Sequence, residues 1–355
     1  MYFLSEEEKR YLMGRLLPLA RRHPVHQELR GWTWREPPML PAYDVRFGAY
    51  EVANKYCPTS RDVYLRRVMG VRAKENNLMQ EGAELHRALA KIVLDAKRII
   101  YSAGAAGCVT AFEEASWGEK ANHPAVAAIP LPRDGIADRM ALQPSRDGTG
   151  TGLSTLPPYD QVPGWRRAAN LAVLRDFEYH RIVGRVEEVL ARHPKVNADS
   201  LVALALPMIV EQQLDGTFLG LSAHLSVDAL TSTEPMVFDI KFGSKRDFHR
   251  LSTTAYALVL ESLFEHPVEI GCVVYGRFVD GRLLVERDLH VIDDELRQWF
   301  IDERDERGRM VSEEVDPGKP DECDRTCPYL SDCRGLAPQM TDTLVGGTRP
   351  EGHIG

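Results

Sequence analysis

The hydrophobic period of the chain changes once, near residue 200, and this constrains the fold more than any other feature. Upstream, over residues 76–100, apolar residues recur at helical spacing: Leu78, Gly82, Leu85, His86, Leu89, Ile92, Val93 and Ala96 share one face. Downstream, short apolar or alternating runs take over. Residues 201–211, 217–229 and 236–241 read as strands, with Pro207 placing the first at an edge or bulge. Asp215-Gly216 is a hairpin turn signal between the first two. A helix over 246–265 follows, then a hairpin of 268–279 and 282–290 across Asp280-Gly281, and a charged helix over 293–308. The order helix, three strands, helix, strand predicts an α/β core: a mixed central sheet flanked by helices.

The rest of the chain is organised around that core. Residues 5–22 read as an amphipathic helix, 24–48 as an irregular Pro/Trp/Gly-rich segment, and 49–70 as helical with Cys57 inside or at its edge. Residues 102–165 are rich in Gly, Ala and Pro and read as an insertion or lid, and 165–193 as a helix. The expected division is an N-terminal helical region (1–101), an insertion (102–200), the core sheet and helix (201–300) and a cysteine-rich C-terminal segment (301–355). A length of 355 residues with 44% apolar composition supports a core of that size. No apolar run reaches the roughly eighteen residues of a membrane span. The opening MYFLSEEEKRYL lacks a basic-then-apolar leader pattern, so a cytoplasmic protein without membrane contact is expected.

A net charge of −8 carries no basic footprint of nucleic-acid binding, but the field at a site is set locally. The stretch 61–74 gathers Arg61, Arg66, Arg67, Arg72 and Lys74 against Asp62 alone. It is either a DNA-facing surface or a solvated helix face.

The residues with the most chemical content lie on the short run FDIKFG. Period two puts Asp239 and Lys241 on one face and turns Ile240 into the core. Asp228 ends the preceding strand on its polar side, a short turn away. Two neighbouring carboxylates repel, and Mg²⁺ or Mn²⁺ relieves that repulsion. Such an ion polarises phosphate and acidifies water, and an adjacent lysine offsets charge developing on the phosphate. By itself a D-x-K pair is more often a surface ion pair. His86, one turn after Gly82, either packs in the core or completes the ligand set. Ser252 and Tyr256, one turn apart on the following helix, either reach the same edge or pack.

Of six cysteines, Cys108 and Cys272 read as small apolar residues. Cys323, Cys327 and Cys333 fall within eleven residues of the tail, and Cys57 lies far upstream. Four thiolates suit a zinc site or an iron–sulfur cluster, and spacing alone leans to zinc. A clip joining Cys57 to the tail would close a loop spanning most of the chain.

Taken together, Gly82-x-x-x-His86, Asp228, Asp239-Ile240-Lys241 and the helix bearing Tyr256 resemble the PD-(D/E)XK nucleases of the RecB type. One cysteine before the core and three after it resemble their iron–sulfur branch, and size and tail spacing are most similar to the CRISPR-associated RecB-like exonucleases of type I-A. The resemblance runs from Cys57 to Cys333, leaving out 102–200. It implies that His86, Asp228, Asp239 and the Ile240 carbonyl hold Mg²⁺ or Mn²⁺, and that Lys241 and Tyr256 serve catalysis. It also implies that Cys57, Cys323, Cys327 and Cys333 bind an iron–sulfur cluster, 4Fe–4S rather than 2Fe–2S, which reverses the preference for zinc. The implied activity is exonucleolytic hydrolysis of DNA at single-stranded ends, trimming spacer precursors beside CRISPR integrase subunits. Asp239 stands where many relatives carry Glu, and Ser252 where they carry Gln. The alternatives are a non-catalytic DNA-end-binding subunit of the integration complex and a repair nuclease outside CRISPR.

Overall fold

A computed structural model describes residues 1–74, 76–115, 164–231, 235–324 and 326–335. The N-terminal segment forms α1 (Glu6–Tyr11) and α2 (Leu17–Arg22), joined by a π-helical turn at Leu12–Leu16. The stretch read as one helix over 49–70 is two, α3 (Ala49–Ala53) and α4 (Arg61–Arg67), with Cys57 in the loop between them. The long helix α5 (Asn77–Glu114) starts at Asn76, whose side chain accepts from Met79 N. It turns sharply at Gly104, where φ is 69°, a conformation glycine adopts without steric cost. Thus 102–114, expected to belong to the insertion, continues α5. Against it packs α6 (Gly164–Arg192), tied through Arg167–Glu84 and Asn170–Glu81. The part of the expected insertion over 116–163 lies outside the described residues.

The run 201–211 is a second correction. Asn197 caps a helix, accepting from Ser200 N, so that Leu201–Ala205 belong to α7 (Ala198–Ala205) and the strand starts only after Pro207. The sheet has five strands: β1 (Met208–Leu214), β2 (Leu225–Thr231), β3 (Met236–Lys241), β4 (Ile270–Val279) and β5 (Arg282–Val291). Their spatial order is β1-β2-β3-β4-β5. Only β3–β4 is parallel, joined by the crossover helix α8 (Arg250–Phe264). The expected strand over 217–229 is shorter, because Thr217–Leu219 form a 3₁₀ turn and pairing begins at Leu225. The chain continues into α9 (Asp294–Ser312) and α10 (Leu330–Gly335).

Two apolar layers enclose the sheet. On one face, α5, α6 and α7 bury Leu89, Val93, Leu174 and Leu201 against Phe238, Ile240, Cys272 and Val274. On the other, α8, α9 and α3 pack on Leu225, Val227 and Val237. Strand periodicity explains β3: Met236, Phe238 and Ile240 face the first layer, and Val237 faces the second. The irregular segment 24–48 wraps the second layer. Gly31 sits so tightly on α8 that a Cβ there would be 2.0 Å from the Leu258 carbonyl oxygen. Among the described residues no helix is long and apolar enough to cross a membrane.

Candidate active site and thiol cluster

The site opens where the sheet forks. β2 and β3 pair only over Ala229↔Phe238 to Thr231↔Met236, and then the strands part. In the gap the Asp228 carboxylate takes the place of the missing ladder partner: Ile240 N–H donates to Asp228 Oδ2 at 2.6 Å. Its other oxygen, Oδ1, lies 3.4 Å from His86 Nδ1. His86 is brought there by α5 and held edge-on against the Phe242 ring, 5.4 Å between centroids. On the neighbouring strand, Lys241 Nζ lies 3.1 Å from Asp239 Oδ1 and 2.9 Å from Oδ2. The fork therefore lets a helix of one layer and the D-x-K strand meet at one place.

Electrostatics couple these groups. Burial raises Asp239 most, and repulsion from Asp228 adds to it; even with Lys241 opposing, the carboxyl stands at about 6. Burial also works against the ionised form of Asp228, but His86, Lys241 and the Ile240 N–H outweigh it and leave its pKa below the usual value. Burial likewise opposes the charged forms of His86 and Lys241; the carboxylates overcome it, and both pKa values rise. Tyr256, on α8, is pushed well above the ordinary phenol by burial, then by the charges of Asp239, Asp228 and Glu211. Ser252 is buried one turn earlier.

Asp239 Oδ2 is buried without a well-formed hydrogen bond, although Lys241 Nζ is within ion-pair distance. The distance shows the attraction and the geometry shows the misalignment, so lone pairs on this oxygen remain available. An all-oxygen and imidazole donor set with an under-satisfied buried carboxylate suits a hard divalent cation. Among the described residues, no three His, Cys, Asp or Glu side chains stand in one closed ligating shell. The carboxylates are engaged instead by His86, Ile240 N–H and Lys241.

Sequence reasoning missed Glu211. It lies on β1 between the pairs Val210↔Ala229 and Gln212↔Val227, hence opposite Asp228, with φ at 52°. Its carboxylate accepts from Ser226 Oγ at 2.8 Å and shares a cleft with His86 and Asp228. Alternation did not single it out, because it ended an apolar run. Gly82 lies in open space: a Cβ there would meet nothing within 4 Å, so no close backbone approach requires glycine.

The cysteines are all free thiols. Cys57, in the α3–α4 loop, and Cys323 and Cys327 are half-buried, and Cys333, on α10, is buried. Burial raises the Cys327 thiol most, and the charges of Cys57, Asp62 and Cys323 add to it, but among the described residues no three thiols stand in one ligating group. The N-terminal and C-terminal segments are stitched together by Lys74 N to Pro328 O, Thr59 Oγ1 to Gly318 O and Asn76 Nδ2 to Thr326 O. Cys108 and Cys272 are buried in the first apolar layer.

The basic stretch 61–74 is not a continuous DNA face. Arg61 is 2% exposed, forks onto Asp316, and donates to Cys333 Sγ at 3.3 Å. Arg67 is clamped by Glu51, which Arg66 also approaches at 3.6 Å. Arg72 is exposed. Arg61 is thus engaged internally, tying α4 to the C-terminal segment at Asp316 and Cys333.

The family profile described as "CRISPR-associated exonuclease Csa1" matches residues 1–121 and 164–337. The chain belongs to the Csa1 exonuclease family. A CRISPR-associated exonuclease Csa1 of Saccharolobus solfataricus is 28% identical over 336 residues, covering 93% of this chain and 99% of that protein. The Csa1 of Thermoproteus tenax is 27% identical over 310 residues, covering 87% and 92%. The Csa1 match takes in 102–121 and 164–200, so these segments belong to the family's common body, in keeping with the packing of α5, α6 and α7.

Proposed function

We propose that this chain is a divalent-metal-dependent DNA exonuclease with a PD-(D/E)XK-type core and an iron–sulfur cluster. It would trim single-stranded ends of spacer precursors beside CRISPR integrase subunits. The observation that supports this most is the fork: Asp228 reaches across it to Ile240 N–H while pairing with His86, beside Asp239 and Lys241. The exonuclease names of the two relatives point the same way.

In this reading His86, Asp228, Asp239 and the Ile240 carbonyl hold Mg²⁺ or Mn²⁺. The ion supplies polarisation of a phosphate oxygen and acidification of a water. Lys241, kept protonated by two carboxylates, offsets charge developing on the scissile phosphate rather than acting as a base. Tyr256 stays protonated and donates a hydrogen bond towards the carboxylates or the phosphate. The Phe242 ring, edge-on to His86, fixes its imidazole on one side of the fork.

Metal-stripped protein is expected to leave an end-labelled single strand intact, and Mn²⁺ or Mg²⁺ to restore degradation. Asp239→Ala should stay inactive at every metal concentration with its circular dichroism spectrum unchanged. Wild-type protein that binds ends but cuts under no divalent metal would instead leave a DNA-end-binding subunit of the integration complex.

Cys57, Cys323, Cys327 and Cys333 would hold the cluster, with Arg61 beside the Cys333 thiolate. The hydrogen bonds that join the segment around Cys57 to residues 318–328 support this. Anaerobically purified protein should be brown, with broad visible absorption and bound iron. Cys327→Ser should lose both and melt at a lower temperature, because thiolate ligation is coupled to folding. A colourless protein carrying stoichiometric zinc would overturn the iron–sulfur assignment.

A further inference from the structure

The negatively charged chain leaves open where a polyanion enters the site, and the stretch 61–74 is largely paired to its own carboxylates. A different cationic surface borders the fork. A cleft of about 620 Å³ begins at His86, Asp228 and Glu211 and continues along α5 past Arg87, Lys91 and Arg98. The lining is polarised, with carboxylates and imidazole at one end and three cations along the other. Lys91 and Arg98 are 70% and 75% exposed and, among the described residues, share Asp95 as their ion-pair partner. Arg87 Nε donates to the Ala83 carbonyl, a neutral acceptor. At a rise of 1.5 Å per residue, Arg87 to Lys91 spans roughly 6 Å and Lys91 to Arg98 roughly 10 Å along the helix. The cations therefore form a line leading away from the carboxylates, not a cluster at one point.

We infer that the Arg87–Lys91–Arg98 face of α5 is the track on which the phosphodiester backbone of a single strand lies as its end enters the fork. This deepens the nuclease reading and rests on it. The three cations contact phosphates and not bases, so the track takes any sequence and its contribution weakens with salt. The first apolar layer positions it: α5 buries Leu85, Leu89, Val93 and Ala96 on the opposite side, which fixes the rotation of the cationic face towards the cleft.

The test is binding of a fluorescent oligothymidylate, followed by anisotropy in EDTA over a range of salt. The triple variant Arg87→Ala/Lys91→Ala/Arg98→Ala should lower the slope of log Kd against log salt by about 2, at ~0.7 per lost single-strand contact. The charge-conserving variant Arg87→Lys/Lys91→Arg/Arg98→Lys, which keeps the fold and the charges, should retain the wild-type slope. Arg309→Ala, on α9 in the opposite layer, should also retain it. Unchanged slope and Kd in the alanine triple, or wild-type protein that binds no single strand, would overturn the track. A small chromogenic thymidine phosphodiester, too short to reach α5, separates this from the nuclease reading. The triple variant should hydrolyse it with wild-type kcat/KM while losing activity on long strands. If wild type hydrolyses neither substrate, the nuclease reading fails, and the salt slope still decides the track.

Discussion

Replacing Lys241 with Met removes DNA hydrolysis while leaving the protein folded: kcat at saturating Mn²⁺ falls by about 10²–10³-fold, the usual cost of deleting one preorganised charge aimed at a transition state. The ammonium is 2.9 Å from Asp239 Oδ2 and is held protonated by Asp239 and Asp228 against the opposing effect of burial. Methionine keeps most of the apolar stem and volume, so packing between β3 and α8 should survive. The buried carboxylate left behind can take up a proton and so avoid remaining an unpaired charge. Lys241→Arg should not restore the rate, since a planar fork cannot occupy the position of a compact ammonium. Single-turnover cleavage of an end-labelled strand, with a melting curve for each variant, measures both effects. A Lys241→Met protein cutting within threefold of wild type would remove Lys241 from the chemistry.

The second large effect is structural. Glu261 on α8 is fully buried and accepts from Arg297 Nη1 at 2.7 Å, Arg297 Nη2 and Arg30 Nη1 at 2.9 Å, Gly31 N at 2.9 Å and Val268 N at 3.0 Å. Arg297 in turn donates to the carbonyls of Ile292, Leu29 and Val268. This carboxylate ties the irregular N-terminal segment, the crossover helix, the start of β4 and helix α9 into one layer. Glu261→Ala leaves the guanidinium of Arg297 buried with only carbonyl partners, and should cost about 3–5 kcal/mol in denaturant unfolding. Arg30 retains Glu269 at 2.6 Å, which favours the lower part of that range. The pH dependence follows from the direction of the shift. Burial alone would raise Glu261, but Arg297 and the backbone donors hold it below the usual carboxylate value. Its contribution is therefore fully present above the unfolded pKa and is lost as pH falls through the folded one. The stability gap between wild type and Glu261→Ala should be largest near neutrality and narrow in acid below about pH 4. A gap under about 1 kcal/mol at neutral pH would mean that the network adds nothing net.

Elements with a clear period were legible from the residues alone. The strand over 236–241 has the limits read from sequence, and the helix read over 165–193 is observed at Gly164–Arg192. The run LVALALPMIVE was not legible. Its continuous apolar character suits a buried strand or a buried helix equally, and capping by Asn197 decides for helix up to Ala205. The Gly/Ala-rich stretch after residue 101 looked like a loop, yet it forms the end of α5, where Cys108 and Phe112 are fully buried. Its composition signalled flexibility, while the packing of α5 against α6 supplied the order.

The sequence by itself determined the residue types that could do chemistry and their local sides: Asp239 and Lys241 together on β3, Ile240 turned into the first layer, His86 on the buried side of a long helix, thiols at both ends of the chain. Those features follow from backbone periods, which act between near neighbours. Only the tertiary structure decided that the β2–β3 ladder stops at Ala229↔Phe238, opening the fork that Asp228 fills, and that Glu211 stands opposite it. It also decided which arginines are consumed internally, sending Arg61 to Asp316 and Cys333 and leaving Arg87, Lys91 and Arg98 beside the cleft. Charges are assigned to partners by proximity and burial across distant parts of the chain, and no local pattern encodes that pairing.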